Sequence, residues 1–183
     1  MVESPIDDVA KLVIGYIIKV SNIILNAFWY DLKRILKMLD EKWKKRFIQL
    51  SKEISTWSKD PSTKVGALII SEDRNIVSTG YNGFPRGIED TEERLNNREL
   101  KYKFILHAEM NCIMNALYNG RSVKDCILFV HGLPPCSECT KSIIQSGIKK
   151  VITDSKPTEN WIESSKLSLE MLKEANVEIE FIW

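Results

Sequence analysis

The amino-acid sequence predicts a three-layer α/β/α fold with one mixed sheet. Three observations support this fold class: the 183 residues are enough for one domain with a buried core, a hairpin pattern comes first, and strand and helix patterns then alternate. Strands that are joined by helices pair in parallel, whereas the strands of a hairpin pair antiparallel. We therefore expect parallel pairing late in the sheet.

Residues 1–37 are predicted to form a hydrophobic helical extension of unknown role, ahead of a compact unit at residues 38–183. Polar residues recur in the extension at helical spacing and form one narrow stripe, which is typical of a helix that is mostly buried or covered by a partner. The longest run without a charge, residues 20–30, is shorter than the about 20 residues that span a bilayer. A helix lying on a membrane surface is the alternative.

The compact unit begins with a helix and a hairpin. The helix is predicted over residues 40–57, where apolar residues recur at spacings of 4, 3, 4 and 3: Trp43, Phe47, Leu50, Ile54 and Trp57. Strands are predicted over residues 64–70 and 76–81, on either side of the turn-rich sequence SEDRN. The stretch TEERLNNRELK that follows is predicted to be a solvated helical face.

The second half of the chain alternates helices and strands. Helices are predicted over residues 107–118, 137–146 and 161–175, the first of them ended by the Asn119-Gly120 cap signal. Short strands are predicted over residues 126–130 and in the sequences KKVITD and VEIEFIW. These elements complete one sheet with helices on both faces.

The composition is that of an ordinary globular protein. Hydrophobic residues make up 44% and charged residues 28%, and the net charge is +1, so no bulk attraction to nucleic acid is expected. The four cysteines are too few for a disulfide scaffold, and acidic residues stand where a secretory signal carries cations. We therefore expect a reduced, cytoplasmic protein without a nucleic-acid partner.

Cys136 and Cys139 form a C-x-x-C pair whose chemistry has several interpretations. A redox pair usually follows the first strand of a βαβ unit, whereas this pair comes late in the chain. A four-cysteine zinc site needs a second close pair, but Cys112 and Cys126 are 14 residues apart, and we expect them to be buried thiols. The third interpretation is a catalytic zinc site with ligands from elsewhere in the chain.

His107 supplies the missing ligand in that third interpretation. His107 and Cys136 each begin a helix, and helix N-termini can converge at the carboxyl ends of adjacent parallel strands. Two thiolates, one imidazole and an open fourth position are the pattern of a catalytic zinc site, and Glu109 can serve as the base without being a ligand. In order, these residues and Pro135 match the nucleobase deaminase signature H-x-E…P-C-x-x-C. His131 is expected to be a loop histidine with no role in the zinc site, and a substrate contact is its alternative.

Residues 42–183 resemble the cytidine/deoxycytidylate deaminases, and most closely the deoxycytidylate (dCMP) deaminases. The resemblance rests on the sequences SKDPSTKVGA, GYNGFPRGIED, HAEMN and PPCSECTKSIIQSGIKKVI and on the spacing between them. It implies the hydrolytic deamination of dCMP to dUMP with release of ammonia, which supplies dUMP for dTMP synthesis. It also implies a cytidine deaminase-like sheet of five strands whose last two are parallel, and a homo-oligomer, either a hexamer or a dimer or tetramer.

The resemblance also assigns residues around the substrate. It implies that Asn82 contacts the sugar and that Thr63 and Lys64 lie in the loop beside the substrate. Pro135 is expected to shape the turn that presents Cys136 to the zinc ion. The alternatives are a deaminase for a free base, a nucleoside or tRNA, and a zinc module without catalysis, which would have no use for Glu109.

The loop after Asn82 resembles the insertion that binds regulatory nucleotides in some family members. It implies that dCTP activates and dTTP inhibits, with effector contacts from Gly83, Arg86, Gly87 and Glu89. A plain tight turn with a surface arginine is the alternative. Some members hold a second zinc ion in this insertion, but residues 84–106 contain neither cysteine nor histidine. We therefore expect one zinc ion per chain.

Overall fold

The computed structural model describes residues 13, 14, 16–26, 28, 29 and 40–182. The chain divides into two compact units, Met1–Leu39 and Asp40–Trp183. The described residues of the first unit are helical, and large apolar side chains such as Ile17, Ile24 and Phe28 are exposed. Coverage of this helix by a partner stays a prediction. Among the described residues, no helix is long and apolar enough to cross a membrane.

The second unit is built on one five-stranded mixed sheet. Its strands, in chain order, are β1 Gly66–Ile70, β2 Ile76–Tyr81, β3 Ile127–His131, β4 Lys150–Thr153 and β5 Glu178–Phe181. They lie in the order β2-β1-β3-β4-β5, with β1 antiparallel to both of its neighbours. The β3, β4 and β5 strands are parallel to one another, which confirms parallel pairing late in the sheet.

Helices cover both faces of this sheet. Helix α1, Glu41–Ser55, lies on one face, where the Phe47 ring packs against Phe129 of β3 with centroids 5.2 Å apart. The helices on the other face bury a shared apolar core and are α4 Ala108–Tyr118, α5 Ser137–Gln145 and α6 Ile162–Glu174. Along β1, Ala67 and Ile69 belong to that core, so the alternating side chains separate the two layers. The three-layer fold is confirmed.

Two short helices fill the segment between the hairpin and α4. They are α2, Glu92–Asn96, and α3, Arg98–Phe104, and the side chains of Thr91 and Asn97 cap their N-termini. The prediction of a wholly solvated face here is wrong at Lys101, which is 6% exposed. Its burial follows from a charged partner on a distant loop, which local sequence patterns do not reveal.

Gly80 sets the distance between the hairpin and α4. A Cβ atom at this position would lie 2.4 Å from the Cys112 backbone nitrogen and 2.5 Å from the Ala108 carbonyl oxygen. Only a glycine allows β2 and α4 to approach this closely. Because α4 begins beside His107, this contact also fixes the height of the helix N-terminus above the sheet.

Candidate active site

His107, Cys136 and Cys139 come together at the N-termini of α4 and α5. His107 and Cys136 are the N-cap residues of these helices, and both have extended backbone angles. The His107 Nδ1 atom lies 3.3 Å from Cys136 Sγ and 3.4 Å from Cys139 Sγ. All the ligand atoms of the three residues lie within 4.8 Å of one another, which is close enough for one metal ion.

The two helices reach this point by different routes. Helix α5 follows β3, as expected for the carboxyl end of a parallel strand. Helix α4 follows α3 instead, so the two N-termini converge as expected, but α4 does not leave a parallel strand of the sheet. The start of α4 is tied to the loop that follows β2 by an isolated bridge, in which the Gly83 and Leu106 backbones exchange hydrogen bonds of 3.1 and 2.8 Å.

The chemistry of the three donors fits zinc. The pKa of Cys136 is lowered to about 4, chiefly by a hydrogen bond from the Cys139 thiol and further by His107. The same hydrogen bond, together with burial, raises the pKa of Cys139. The two sulfur atoms lie close enough that the thiolate form of one is stabilised by its neighbours. A divalent cation stabilises both as thiolates, and two thiolates with one imidazole form a common zinc donor set.

Glu109 lies in the first turn of α4 and is 3% exposed. Burial raises the pKa of its carboxyl group, although His107 nearby opposes the shift. Among the described residues, the cluster able to hold a metal ion comprises His107, Cys136 and Cys139 without Glu109. A buried carboxyl group with a raised pKa, next to a metal site but outside its ligand set, is suited to accept and return protons.

Two adjoining cavities lead to these residues. The inner chamber has a volume of about 70 Å³, and His107, Glu109, Cys136 and Asn82 are among its lining residues. The outer groove has a volume of about 650 Å³. Six residues line both spaces: Ser62, Thr63, Lys101, Tyr102, Leu133 and Trp161. The inner chamber thus opens towards a larger, more polar space.

Asn82 is 5% exposed and is held in one orientation by the loop before β1. The Val65 backbone N–H donates to Asn82 Oδ1 at 2.8 Å, and Asn82 Nδ2 donates to the Thr63 carbonyl oxygen at 2.8 Å. These bonds fix which end of the amide is the acceptor. One lone pair of Oδ1 is left for a ligand that donates a hydrogen bond, such as a sugar hydroxyl group.

Of the other residues predicted to contact the substrate, one lines the cavities and two do not. Thr63 lines both spaces. Lys64 is exposed and Pro135 is buried, and neither is among the residues that line the two cavities. Pro135 directly precedes Cys136, in keeping with a role in shaping the turn. Substrate contacts from Lys64 and Pro135 stay predictions.

Sequence patterns missed several lining residues, among them Asp60, Lys101, Tyr102 and Trp161. Trp161 ends a 3₁₀ turn, Glu159–Trp161, in the connection after β4. The rule that ligands bind beyond the carboxyl ends of parallel strands could have singled it out. Lys101 lies inside a charged run and carries no such signal.

A third space, the Arg86 cavity, lies beside the inner chamber. It has a volume of about 320 Å³ and shares Asp60, Asn82 and Ile105 with the inner chamber. Gly83 and Arg86 line it, whereas Gly87 and Glu89 are not among its lining residues. The Arg86 guanidinium group donates to Asn115 Oδ1 at 2.8 Å and lies 4.2 Å from the centre of the Tyr118 ring.

The remaining histidine and cysteines lie outside the site. His131 Nδ1 is 2.8 Å from Asp154 Oδ2, and His131 does not belong to the metal cluster. Cys112 and Cys126 are buried, as predicted. Burial raises the pKa of Cys112 to about 12, so this thiol stays protonated and is a poor metal ligand.

Comparison with known proteins confirms the resemblance. A family profile described as the cytidine and deoxycytidylate deaminase zinc-binding region matches residues 41–155. An uncharacterized deaminase from the luxG 3′ region of Aliivibrio fischeri is 40% identical over 144 residues, which cover 77% of this chain and 94% of that protein. The deoxycytidylate deaminase of Mus musculus is 44% identical over 117 residues, which cover 60% of this chain but only 63% of that enzyme.

Solved structures support the same fold. The dCMP deaminase of cyanophage S-TIM5, crystallised in complex with dCMP and dUMP, matches with a TM-score of 0.64 and 26% identity. The match covers 79% of this chain and 99% of the phage enzyme. It confirms the predicted cytidine deaminase-like sheet.

Proposed function

Because the chain belongs to the cytidine and deoxycytidylate deaminase zinc-binding family, we propose that it is a zinc-dependent enzyme that hydrolyses dCMP to dUMP and ammonia. The observation that carries this proposal is the inner chamber, whose lining brings together candidate zinc ligands, a buried carboxyl group and a fixed amide. The relatives named for deoxycytidylate deamination and the phage complex with dCMP and dUMP support this substrate.

In this proposal each residue has a separate task. His107, Cys136 and Cys139 hold one zinc ion, which when bound acts as a Lewis acid and lowers the pKa of water. The Glu109 carboxylate takes a proton from the attacking water and delivers protons to ring N3 and to the leaving amine. Asn82 accepts a hydrogen bond from the sugar and so orients the ring. Water and dCMP are consumed, and dUMP and ammonia are released.

The outer groove favours a nucleotide over a nucleoside or a free base. Among the described residues that line it, the only charged ones are Arg98 and Lys101, and Lys101 is already paired with Asp60, which leaves Arg98 as the candidate cation for a phosphate. A guanidinium group can bind a phosphate at two points, and Arg98 lies on α3 and lines the outer groove. A base in the inner chamber with its phosphate in the outer groove fits this charge pattern.

A side-by-side assay of dCMP, dCTP, deoxycytidine and cytosine, with zinc measured on the same sample, tests the proposal. We expect the highest kcat/KM for dCMP. Glu109→Gln should abolish turnover while zinc content stays near one per chain, and Glu138→Gln, on the exposed side of α5, should change neither. Preference for a free base or nucleoside would refute the proposed substrate. Full activity of Glu109→Gln would refute the role of Glu109.

We also infer that dCTP activates and dTTP inhibits through the Arg86 cavity. Two residues that this cavity shares with the inner chamber, Asp60 and Asn82, offer a short path between effector and substrate. Coupling of this kind typically changes affinity about 5- to 150-fold. Arg86→Ala should blunt both responses and preserve turnover at saturating dCMP, whereas Arg46→Ala on α1 should preserve both responses. If neither dCTP nor dTTP shifts the dCMP saturation curve, the loop that contains Arg86 is a tight turn with a surface arginine and not an effector site.

We also propose that the protein is cytoplasmic and forms a homo-oligomer. None of the four cysteines, all of which the structure describes, forms a disulfide, which fits a reducing, cytoplasmic setting. Exposed Leu117 and Tyr118 at the end of α4 give an apolar surface for self-association into a hexamer or a smaller oligomer. Light scattering at several protein concentrations would show a monomer if this inference is wrong.

A further inference from the structure

Lys101 and Asp60 form a buried ion pair beside the inner chamber. The Lys101 Nζ atom lies 2.8 Å from Asp60 Oδ1, and the two side chains are only 7% and 5% exposed. Lys101 comes from α3, whereas Asp60 belongs to the loop between α1 and β1. The pair therefore joins two segments that are 41 residues apart in the chain.

Asp60 in turn organises the loop that follows it. Its Oδ1 atom accepts hydrogen bonds from the Ser62 backbone at 2.8 Å, the Ser62 hydroxyl at 2.8 Å and the Thr63 backbone at 3.1 Å. Lys101 also donates to the Ser62 hydroxyl at 2.7 Å. One carboxylate oxygen thus fixes two consecutive residues, and its position depends on the lysine that neutralises it.

That loop contributes the atoms that orient Asn82. The Thr63 carbonyl oxygen accepts from Asn82 Nδ2, and the Val65 N–H donates to Asn82 Oδ1. The second Nδ2 hydrogen has Asp60 Oδ2 within 3.5 Å. A shift of Asp60 therefore moves both ends of the Asn82 amide, although Lys101 makes no hydrogen bond with Asn82 itself.

We infer that Lys101 is a positioning residue, which acts through Asp60 to hold Asn82 in the orientation that receives the sugar of the substrate. The inference rests on the proposed function for its kinetic consequence. Its structural part is independent, because loss of Lys101 leaves an uncompensated buried carboxylate, which must seek water or a proton. Either change weakens the hydrogen bonds that Asp60 accepts from Ser62 and Thr63. The hydrogen bonds that hold the Asn82 side chain then weaken as well.

A direct contact between Lys101 and the substrate is the competing explanation. Lys101 lines both the inner chamber and the outer groove, and two of its three N–H groups are used by Asp60 and Ser62. The third could reach a phosphate group. A positioning role and a direct contact differ in one respect: only the positioning role requires Asn82.

A double-mutant cycle separates the two explanations. We expect Lys101→Met to lower kcat/KM on dCMP by about 10- to 100-fold, with unchanged zinc content. In the Asn82→Ala background the same change should cost less than about 2-fold, because the residue it positions is gone. Lys101→Arg should recover part of the loss, and Lys103→Met, at an exposed position of α3, should have no effect. If the double variant loses kcat/KM by the product of the two single losses, the two residues act independently and the inference is wrong.

Amide hydrogen exchange supplies a second test that needs no turnover. The Thr63 and Val65 amides, which donate to Asp60 and Asn82, should exchange faster in Lys101→Met and return towards normal in Lys101→Arg. Unchanged exchange would refute the inference. If Lys101→Met does not fold, Asp60→Asn/Lys101→Met removes both buried charges and should show the same faster exchange at Val65. A wild-type protein that is inactive on dCMP would refute the proposed function alone.

Discussion

The rings of His107 and Trp161 meet edge to face, with centroids 6.0 Å apart and planes inclined by 79°. Trp161 also lines both the inner chamber and the outer groove. It therefore connects the metal cluster with the outer groove, across which we propose that the substrate lies. Aromatic side chains in such positions commonly stack on nucleobases, with a gain of about 1–3 kcal/mol per base.

Removing this ring should weaken substrate binding more than it affects the metal. We expect Trp161→Ala to lower kcat/KM on dCMP by about 10-fold or more, mainly through KM, while zinc content is preserved. Trp161→Phe keeps an aromatic surface and should retain most of the activity. The two variants are compared by steady-state kinetics and metal analysis. Equal losses in both would show that the indole N–H, rather than the ring surface, matters.

The metal site gives a prediction with an internal control. Cys139→Ser should lose both zinc and activity, because a hydroxyl group is a poor zinc ligand. Cys126→Ala removes another buried thiol and should keep one zinc ion per chain, since Cys126 lies outside the metal cluster. Metal analysis of both variants and the wild type checks this. Two zinc ions per wild-type chain, or none in active protein, would contradict a single-zinc site.

Arg98 provides a test of phosphate recognition. Arg98→Ala should raise the KM for dCMP by about 10-fold and leave any activity on deoxycytidine unchanged, because only the nucleotide carries a phosphate for the guanidinium group. Arg94→Ala is the matched control, since Arg94 donates to the Glu89 carbonyl oxygen and does not line the outer groove. Similar losses for both substrates would assign Arg98 to the fold instead.

The Asp60–Lys101 pair also predicts a dependence of stability on pH. Burial alone would raise the pKa of Asp60, but hydrogen bonds from Lys101, Ser62 and Thr63 lower it overall below its ordinary value of 3.8. A carboxyl group with a lowered pKa stabilises the folded state above its unfolded pKa, and this contribution is lost as the pH falls through the folded pKa. The free energy of unfolding should therefore fall more steeply below about pH 4 in the wild type than in Asp60→Asn/Lys101→Met. Chemical denaturation between pH 3 and 7 measures both, and parallel curves would contradict the prediction.

The unit boundary leads to a prediction about truncation. Residues 38–183 alone should retain the zinc site and catalysis, because the helix that opens the compact unit begins at Glu41 and every chemical motif lies after it. Soluble expression, zinc content and dCMP turnover of the shortened chain are the measurements. Insoluble or inactive protein would show that the first 37 residues contribute to the core or to an interface between subunits.

The elements that the sequence predicted well are those with strong local patterns. The helix with the Trp43 stripe, the hairpin strands and the helix that begins after Cys136 all lie within a few residues of their predicted bounds. His107, Glu109 and the C-x-x-C pair were identifiable because their residue types are rare at that spacing.

The rest of the site depends on contacts between distant segments. Nothing in the run NRELKYK distinguishes buried Lys101 from exposed Lys103, since the difference lies in the partner 41 residues away. The partner of Arg86 was likewise not predictable from the local sequence, because Arg86 donates a hydrogen bond to Asn115 on α4. A sequence pattern reports which side chains share a helix face, but not which loop lies against that face.

The close approach of β2 and α4 at Gly80 has a consequence for engineering this protein. A side chain there would push α4 away from the sheet and carry His107 and Glu109 with it, while Cys136 and Cys139 stayed with α5. A single change outside the linings of the three cavities described above would then separate Glu109, the proposed proton-transfer group, from the two cysteines. Directed evolution towards other nucleotides should therefore keep this glycine constant and place its diversity at outer-groove positions away from Ser62, Thr63 and Lys101, such as Asn96 and Thr158, where new side chains can alter selectivity without disturbing the residues that hold Asn82.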